Sequence, residues 1–314
     1  MSFRAILSPV FVVEWVVNAR KWHGYAARFA FGLSLLAAIS FAAWMIGNIG
    51  SKGDMLSVQN LAAFGEFIFN VMGTVQILMV LLAAPAATAG AICQDRARGA
   101  LLHMMVTDLS VAEIVVGKLA ARLVPVLCLV LCSFPVLALS SLLGGIDPRA
   151  IVLLLTISLA LAVLGCSLAL TLSLWMKNSY EVMVGVIGFW TLGLLAAPTW
   201  YLLATPLKLG ATPTALLAAN PFYLMHEIYS QARYPVIMHV IAFVVGSLII
   251  SGILVFLATR SFRAAVEQDG KTRNKDGMLR RLRRAALRWT PLSRPKNGDP
   301  SLLSNQAVVA LSAR

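Results

Sequence analysis

Charge is what this sequence has least of. Asp, Glu, Lys and Arg make up 12% of its 314 residues, against roughly 25% in an ordinary soluble domain. Apolar residues make up 59%, and the mean hydropathy is +0.82. So few charges cannot clothe a water-soluble protein of this length, which excludes a soluble globular enzyme and places the chain in lipid. Cysteine is scarce as well. Cys93, Cys128, Cys132 and Cys166 form neither a disulfide framework nor a zinc-ligand spacing.

The motifs of chemistry are missing too. No H-E-x-x-H is present, and His226-Glu227 lacks the second histidine that a zinc site on a helix needs. There is no G-x-x-x-x-G-K-[ST] loop to cradle a nucleotide phosphate and no G-x-S-x-G elbow to present a serine nucleophile. His23, His103, His226 and His239 are scattered. No catalytic residue, cofactor or metal ligand is therefore expected, and the chain is not read as an enzyme. Ion-coupled carriers place ionisable residues within their spans. Here the nearest ones, Glu66 and Glu181, stand at the edges of the apolar runs. A transporter built this way needs energy from another subunit.

What the sequence does have is long apolar runs. Six stretches free of Asp, Glu, Lys and Arg cover 29–51, 67–94, 123–146, 150–176, 182–207 and 234–259. A bilayer core needs about 20 apolar residues as a helix, and lipid leaves the backbone no partner outside its own segment. Each run predicts a membrane-spanning helix. A seventh uncharged run, 209–226, carries Gly210, Pro213, Asn220 and Pro221, and reads as an irregular loop with short interfacial helices. Lys and Arg between the runs fall unequally, 22 on one side and 4 on the other. The positive-inside rule puts the richer side in the cytoplasm. The prediction is an all-α polytopic protein with six transmembrane helices and both termini cytoplasmic, multi-pass in a bacterial-type inner membrane.

Three parts follow along the chain. Residues 1–26 hold an apolar patch with Glu14, Arg20 and Lys21 behind Pro9, which predicts an N-terminal interfacial helix. Residues 27–259 form the six-span body, with a cytoplasmic loop over 93–117 and an outer loop over 205–234. The second span is longer than a bilayer requires, and Pro85 and Gly90 predict a kink near its end. After it, Leu101, Leu102, Met105, Val106 and Leu109 recur at helical spacing. Ser110 followed by Glu113 is a capping box that starts a new helix carrying Lys118 and Arg122 into the third span. Only a few residues join spans four and five, which predicts an antiparallel hairpin. The tail, 260–314, carries 13 of the 26 basic residues and reads as largely flexible. Within it, MLRRLRRAALRW has the pattern of a basic amphipathic helix suited to anionic lipid. Beside a charged bilayer, nucleic acid is not the expected partner.

The residues around the cytoplasmic loop resemble those of ABC-2 type transporter permeases. The likeness runs from Asp95-Arg96-Ala97-Arg98-Gly99-Ala100-Leu101 through Thr107-Asp108-Leu109-Ser110 to Glu113-Ile114 and Gly117-Lys118-Leu119. Ser8-Pro9-Val10 with Glu14 is similar to that family's N-terminal interfacial helix. Ala97 stands where a second acid is common, Asp108 where Pro is common and Ala100 where Thr is usual, so the acidic contact falls to Asp95 alone. The resemblance implies an exporter half. Two permease chains pair, as a homo- or heterodimer, and cytosolic ABC ATPase subunits dock beneath them. The short helix after span two would be the coupling element, with an apolar face of Leu101, Leu102 and Met105 and rim contacts from Asp95, Arg96 and Arg98. Gly99, Thr107, Leu109, Ser110 and Glu113 complete the coupling set. Spans two and three would act as levers, bending at Pro85, Pro125 and Pro135. The function so implied is export of an unidentified substrate driven by a separate ATPase. The alternative is a multi-span membrane scaffold or assembly factor without transport activity.

Overall fold

The structure, a computed structural model, describes residues 9–20, 22–49, 58–98, 110–142, 147–176, 178–207, 213–230 and 236–262. They fall within the compact unit Met1–Glu267, and the second unit, Gln268–Arg314, lies outside the described residues. The described residues are helical apart from short turns, and no strand occurs among them.

The elements in chain order are α1 (Pro9–Ala19), α2 (Trp22–Ile49), α3 (Val58–Thr88), α4 (Gly90–Arg98), α5 (Val111–Leu142), α6 (Pro148–Trp175), α7 (Ser179–Leu207), α8 (Thr214–Ala218) and α9 (Pro221–Ser230). A last helix, α10, covers Val236–Phe262. Six of them, α2, α3, α5, α6, α7 and α10, contain stretches long and apolar enough to cross a membrane. The fold is that of a multi-pass membrane protein, and each predicted run coincides with one of these helices.

Most of these helices extend beyond their charge-free runs. α2 begins ahead of Arg28, and α10 continues past Arg260. The flanking arginines lie along apolar surface while their heads reach outward. The Arg28 guanidinium sits 5.6 Å from the Tyr25 ring centre, and that of Arg260 sits 4.5 Å from the Phe256 ring centre.

Local chemistry fixes the helix ends. Asp147 caps α6, its carboxylate accepting from the Arg149 backbone N–H at 2.9 Å, with Pro148 in the first turn. The Ser110 box is formed as the sequence predicts. Glu113 accepts from the Ser110 N–H at 3.0 Å, and the Ser110 hydroxyl accepts from the Glu113 N–H at 3.3 Å. At the predicted kink Ala89 is a single turn residue between α3 and α4, and its N–H still donates to the Pro85 carbonyl at 2.7 Å, so that Gly65–Asp95 runs on as one apolar stretch.

At the centre stand α3, α5 and α6, whose apolar stretches are 50%, 44% and 67% buried, against 17–22% for α2, α7 and α10. Phe69, Met72 and Ile77 of α3, Val126 and Leu129 of α5, and Leu154 and Ile157 of α6 form the main core. Gly165 allows α6 to lie close to α3, since a Cβ there would stand 2.9 Å from that of Ala84. Buried polar side chains stitch the helices together. The Gln76 amide donates to the Ser158 hydroxyl at 2.9 Å, and Ser251 of α10 donates to Ser167 of α6 at 2.8 Å.

α6 and α7 pack as the predicted hairpin. The described part of 205–234 beyond α7 holds the two short helices α8 and α9. α9 rests against α3 and α6, and its Leu224 and Met225 belong to the main core. The place of Gly73 explains the fit: a Cβ on it would come within 2.5 Å of Met225 Sδ. The structural account of Arg263 onward, including the basic segment predicted as a helix, lies outside the described residues.

Candidate functional site

Two polar sites interrupt this apolar body, one at each end of the bundle. The first gathers where α4 meets the start of α5. Lys118 and Arg122 are four residues apart on α5, which places them one above the other on a single helix face. That face receives Glu14 from α1 and Asp95 from α4. The Lys118 ammonium is fully buried; it donates to Glu14 Oε1 at 2.6 Å and to Asp95 Oδ2 in a short contact. Arg122 meets Glu14 Oε2 at 3.0 Å. It also donates to the Ala87 carbonyl at 3.3 Å, in the last turn of α3. Terminal carbonyls of a helix have no partner within it, and a basic side chain is a usual substitute.

The four charges balance, two acidic and two basic. Burial by itself would raise the Glu14 carboxyl's pKa. The neighbouring Lys118, then Arg122, outweigh that and hold it below its ordinary range. A buried ion cluster adds little net stability over an apolar one, but removal of one member costs roughly 3–5 kcal/mol because the others are left unpaired. Its contribution is therefore to fix one arrangement of three elements. An apolar cluster of Ala91, Ile92, Ile114, Val115, Leu170, Leu174, Ala258 and Phe262 joins α4, α5, α6 and α10. The Cys93 thiol lies 3.7 Å from the Ser173 carbonyl and 3.6 Å from that of Met176. α4 and the start of α5, which flank residues 99–109, are thus both fastened to the bundle.

The predicted coupling residues divide between the described and the undescribed parts of this turn. Asp95 is in the ion cluster, turned inward onto Lys118, whereas the sequence reading placed it on a rim facing a partner. Ser110 and Glu113 form the cap of α5. Arg96 and Arg98 lie on the last turn of α4, their side chains outside the described set. Gly99, Leu101, Leu102, Met105, Thr107 and Leu109 lie outside the described residues. The sequence reading noted Glu14, Lys118 and Arg122 one by one and did not join them. The available signal is that Glu14, Lys118 and Arg122 are few charges set among apolar residues, where each needs a partner of opposite sign.

The second site is at the α9 end. Glu227 of α9 is 7% exposed, and its carboxylate oxygens lie 3.1 and 3.2 Å from Nδ1 of His239 on α10. The pair ties α9 to α10, as Leu224 and Met225 tie it to the core. Among the described residues no group of three or more His, Cys, Asp or Glu side chains is placed to hold a metal ion. Along α7 an open groove is lined by Val184, Ile187, Thr191, Leu195, Thr199 and Leu203, with Leu216 of α8 at one end. It is almost wholly apolar and suits an acyl chain or another apolar helix.

No protein-family model matches the chain, and no curated protein matches it.

Proposed function

We propose that this chain is the permease subunit of an ABC-2 type transporter, forming the path for export of an unidentified substrate. A separate cytosolic ATPase drives it by gripping the turn between α4 and α5. The observation that carries this reading is the fastening of both sides of that turn. α4 is held by Asp95 and Ile92, and α5 by its Ser110–Glu113 cap and by Lys118. A push delivered to α4 or to the start of α5 passes through these contacts into the bundle. Motif resemblance and the six spans add support, as does the lack of any energy source in the chain itself.

The basic residues favour the α4 end as the cytosolic one, with both termini on that side. α1 then lies at the cytoplasmic interface. Glu14 turns inward, while Val12, Val13, Trp15, Val16 and Val17 stay exposed for the acyl boundary. The basic tail rests on anionic lipid. A second permease chain pairs with this one, and the exposed apolar face of α7 offers area for it. A bacterial-type inner membrane is the location.

Purification from native membranes in mild detergent tests the reading. An ATPase should come down with the chain. Leu101→Asp combined with Met105→Asp should abolish that recovery while membrane insertion is unchanged. Recovery of the wild-type chain with no ATPase overturns the reading and favours a scaffold.

A further inference from the structure

The cations near the start of α2 are treated differently from those of α5. On α5 the charges of Lys118 and Arg122 meet Glu14 and Asp95. The sequence around the start of α2 holds Arg20, Lys21 and Arg28, and residues 15–53 contain no Asp or Glu at all. Among the described residues no carboxylate pairs with Arg20 or Arg28. Their charge is left for something outside the chain.

The face beside Arg28 has the layout of a phospholipid. Trp22, Tyr25, Phe29, Leu33 and Leu36 are each more than half exposed. Their three- and four-residue spacing sets them on one stripe of the helix, while Phe31 and Leu35 enter the main core. Arg28 borders the stripe. Its guanidinium lies over the Tyr25 ring, 5.6 Å from the ring centre, so the long side chain carries its charge one turn back toward the start of α2. A stacked guanidinium spends its face on the ring and keeps its N–H donors at the edge, in the fork that fits a phosphate. The Tyr25 hydroxyl is a further donor at that level. From Tyr25 to Leu36 the helix rises about 16 Å, close to half of the ~30 Å hydrocarbon core. A head group at Arg28 and a chain laid along the stripe therefore occupy one leaflet.

We propose that this stripe of α2 is the docking site of an anionic phospholipid, with its phosphate on Arg28 beside Tyr25 and an acyl chain along Phe29, Leu33 and Leu36. Arg20, exposed behind α1, adds charge at the rim. The apolar ribbon continues directly from the cation, which suits a lipid and gives a free anion nothing to fill. α7 supplies the contrast. It starts at the α4 end, where Val182 packs with Cys93, and α2 starts there too, directly after α1. α7 opens with Glu181 and exposes Val184 and Ile187 below it. That face takes acyl chains without regard to head group. The α2 site stands on its own geometry and is independent of the transport reading and of the basic tail.

Photo-crosslinking of the full-length chain in nanodiscs of phosphatidylglycerol and phosphatidylcholine in equal parts tests this. Either lipid is supplied in trace with a diazirine on its acyl chain, and the cross-links are mapped by mass spectrometry. The glycerol-to-choline labelling ratio over 29–36 should exceed that over 184–187 about fivefold, the enrichment that one basic residue near a membrane surface provides. Arg28→Gln should bring the two ratios together, with labelling over 184–187 unchanged. Equal ratios in the wild-type chain overturn the site, and so does an excess that survives Arg28→Gln. Should Arg28→Gln fail to insert, Tyr25→Ala decides. Without the ring to aim the guanidinium the excess should fall by roughly half, and a full excess there overturns the proposal. Added inorganic phosphate should leave the ratio unchanged; displacement of the labelled lipid by it would make this a free-anion site. Deleting 271–314 should also leave the ratio unchanged, and loss of the excess on deletion would assign the lipid to the tail instead. Recovery of an ATPase bears on the transport reading alone and leaves these outcomes untouched.

Discussion

The two ends of the bundle solve one problem with different means. At each, a short helix must be held against long apolar spans that offer it little but shape. At the α4 end four charges from α1, α4 and α5 interlock around a lysine with no exposure. At the α9 end apolar fit does most of the work, with Leu224 and Met225 in the core and a single Glu227–His239 contact beside them. A charge network has few arrangements that satisfy every member, and exchanging one for another is a discrete event. Apolar packing between α9, α3 and α6 tolerates small adjustment and resists large ones. The difference makes the α4 end depend on matched charges and the α9 end on shape.

Substitutions can break this contrast. The largest effect is expected from Lys118→Met, which leaves Asp95 without its cation and Glu14 with Arg122 alone of the two. It should destabilise the protein by about 3–5 kcal/mol in a denaturing-detergent titration. A loss below that of any change at the α9 end would show that the charges there are not interlocked. Gly73→Leu should come next. It drives a side chain into Met225 and should cost about 1–3 kcal/mol, with α9 rather than α4 becoming sensitive to protease. Glu227→Gln should cost about 1 kcal/mol, since the amide keeps the shape and a hydrogen bond to His239.

The smallest effect sharpens the contrast by its absence. The Glu14 carboxyl titrates below its ordinary 4.5 in the folded protein, because Lys118 and Arg122 outweigh the effect of its burial. A group lowered on folding contributes its stability above the unfolded value and loses it as pH falls through the folded one. Protease protection of α1 should therefore stay flat from pH 7 down to about 5 and fall only below 4.5. Loss of protection already at pH 6 would place Glu14 outside the cation pair.

Much of the architecture is legible in the sequence because lipid imposes it. The six charge-free runs mark the spans, Pro85 and Gly90 mark the turn at Ala89, and Ser110 with Glu113 marks the cap of α5. Which spans are central is not legible. Lipid and protein core both select apolar side chains, so α6 and α10 look alike in sequence while one is 67% and the other 22% buried. Pro213, Asn220 and Pro221 break the pattern around α9, so the sequence predicts an irregular loop with short interfacial helices there. Its anchoring depends on the space above Gly73, which no local pattern reveals. The ion cluster escaped for a related reason. Lys118 is 104 residues from Glu14 and 23 from Asp95, and helical periodicity carries no information across such separations.

The central claim is that the turn between α4 and α5 meets the cytosol, where an ATPase can reach it. Ser110 is exposed at the start of α5, so a Ser110→Cys variant can report its side of the membrane once the four native cysteines, of which Cys132 is exposed, are replaced by Ala. A membrane-impermeant maleimide should label it in inverted vesicles and leave it untouched in intact cells. Labelling in intact cells would put the turn on the wrong side and remove the basis for an ATP-driven permease.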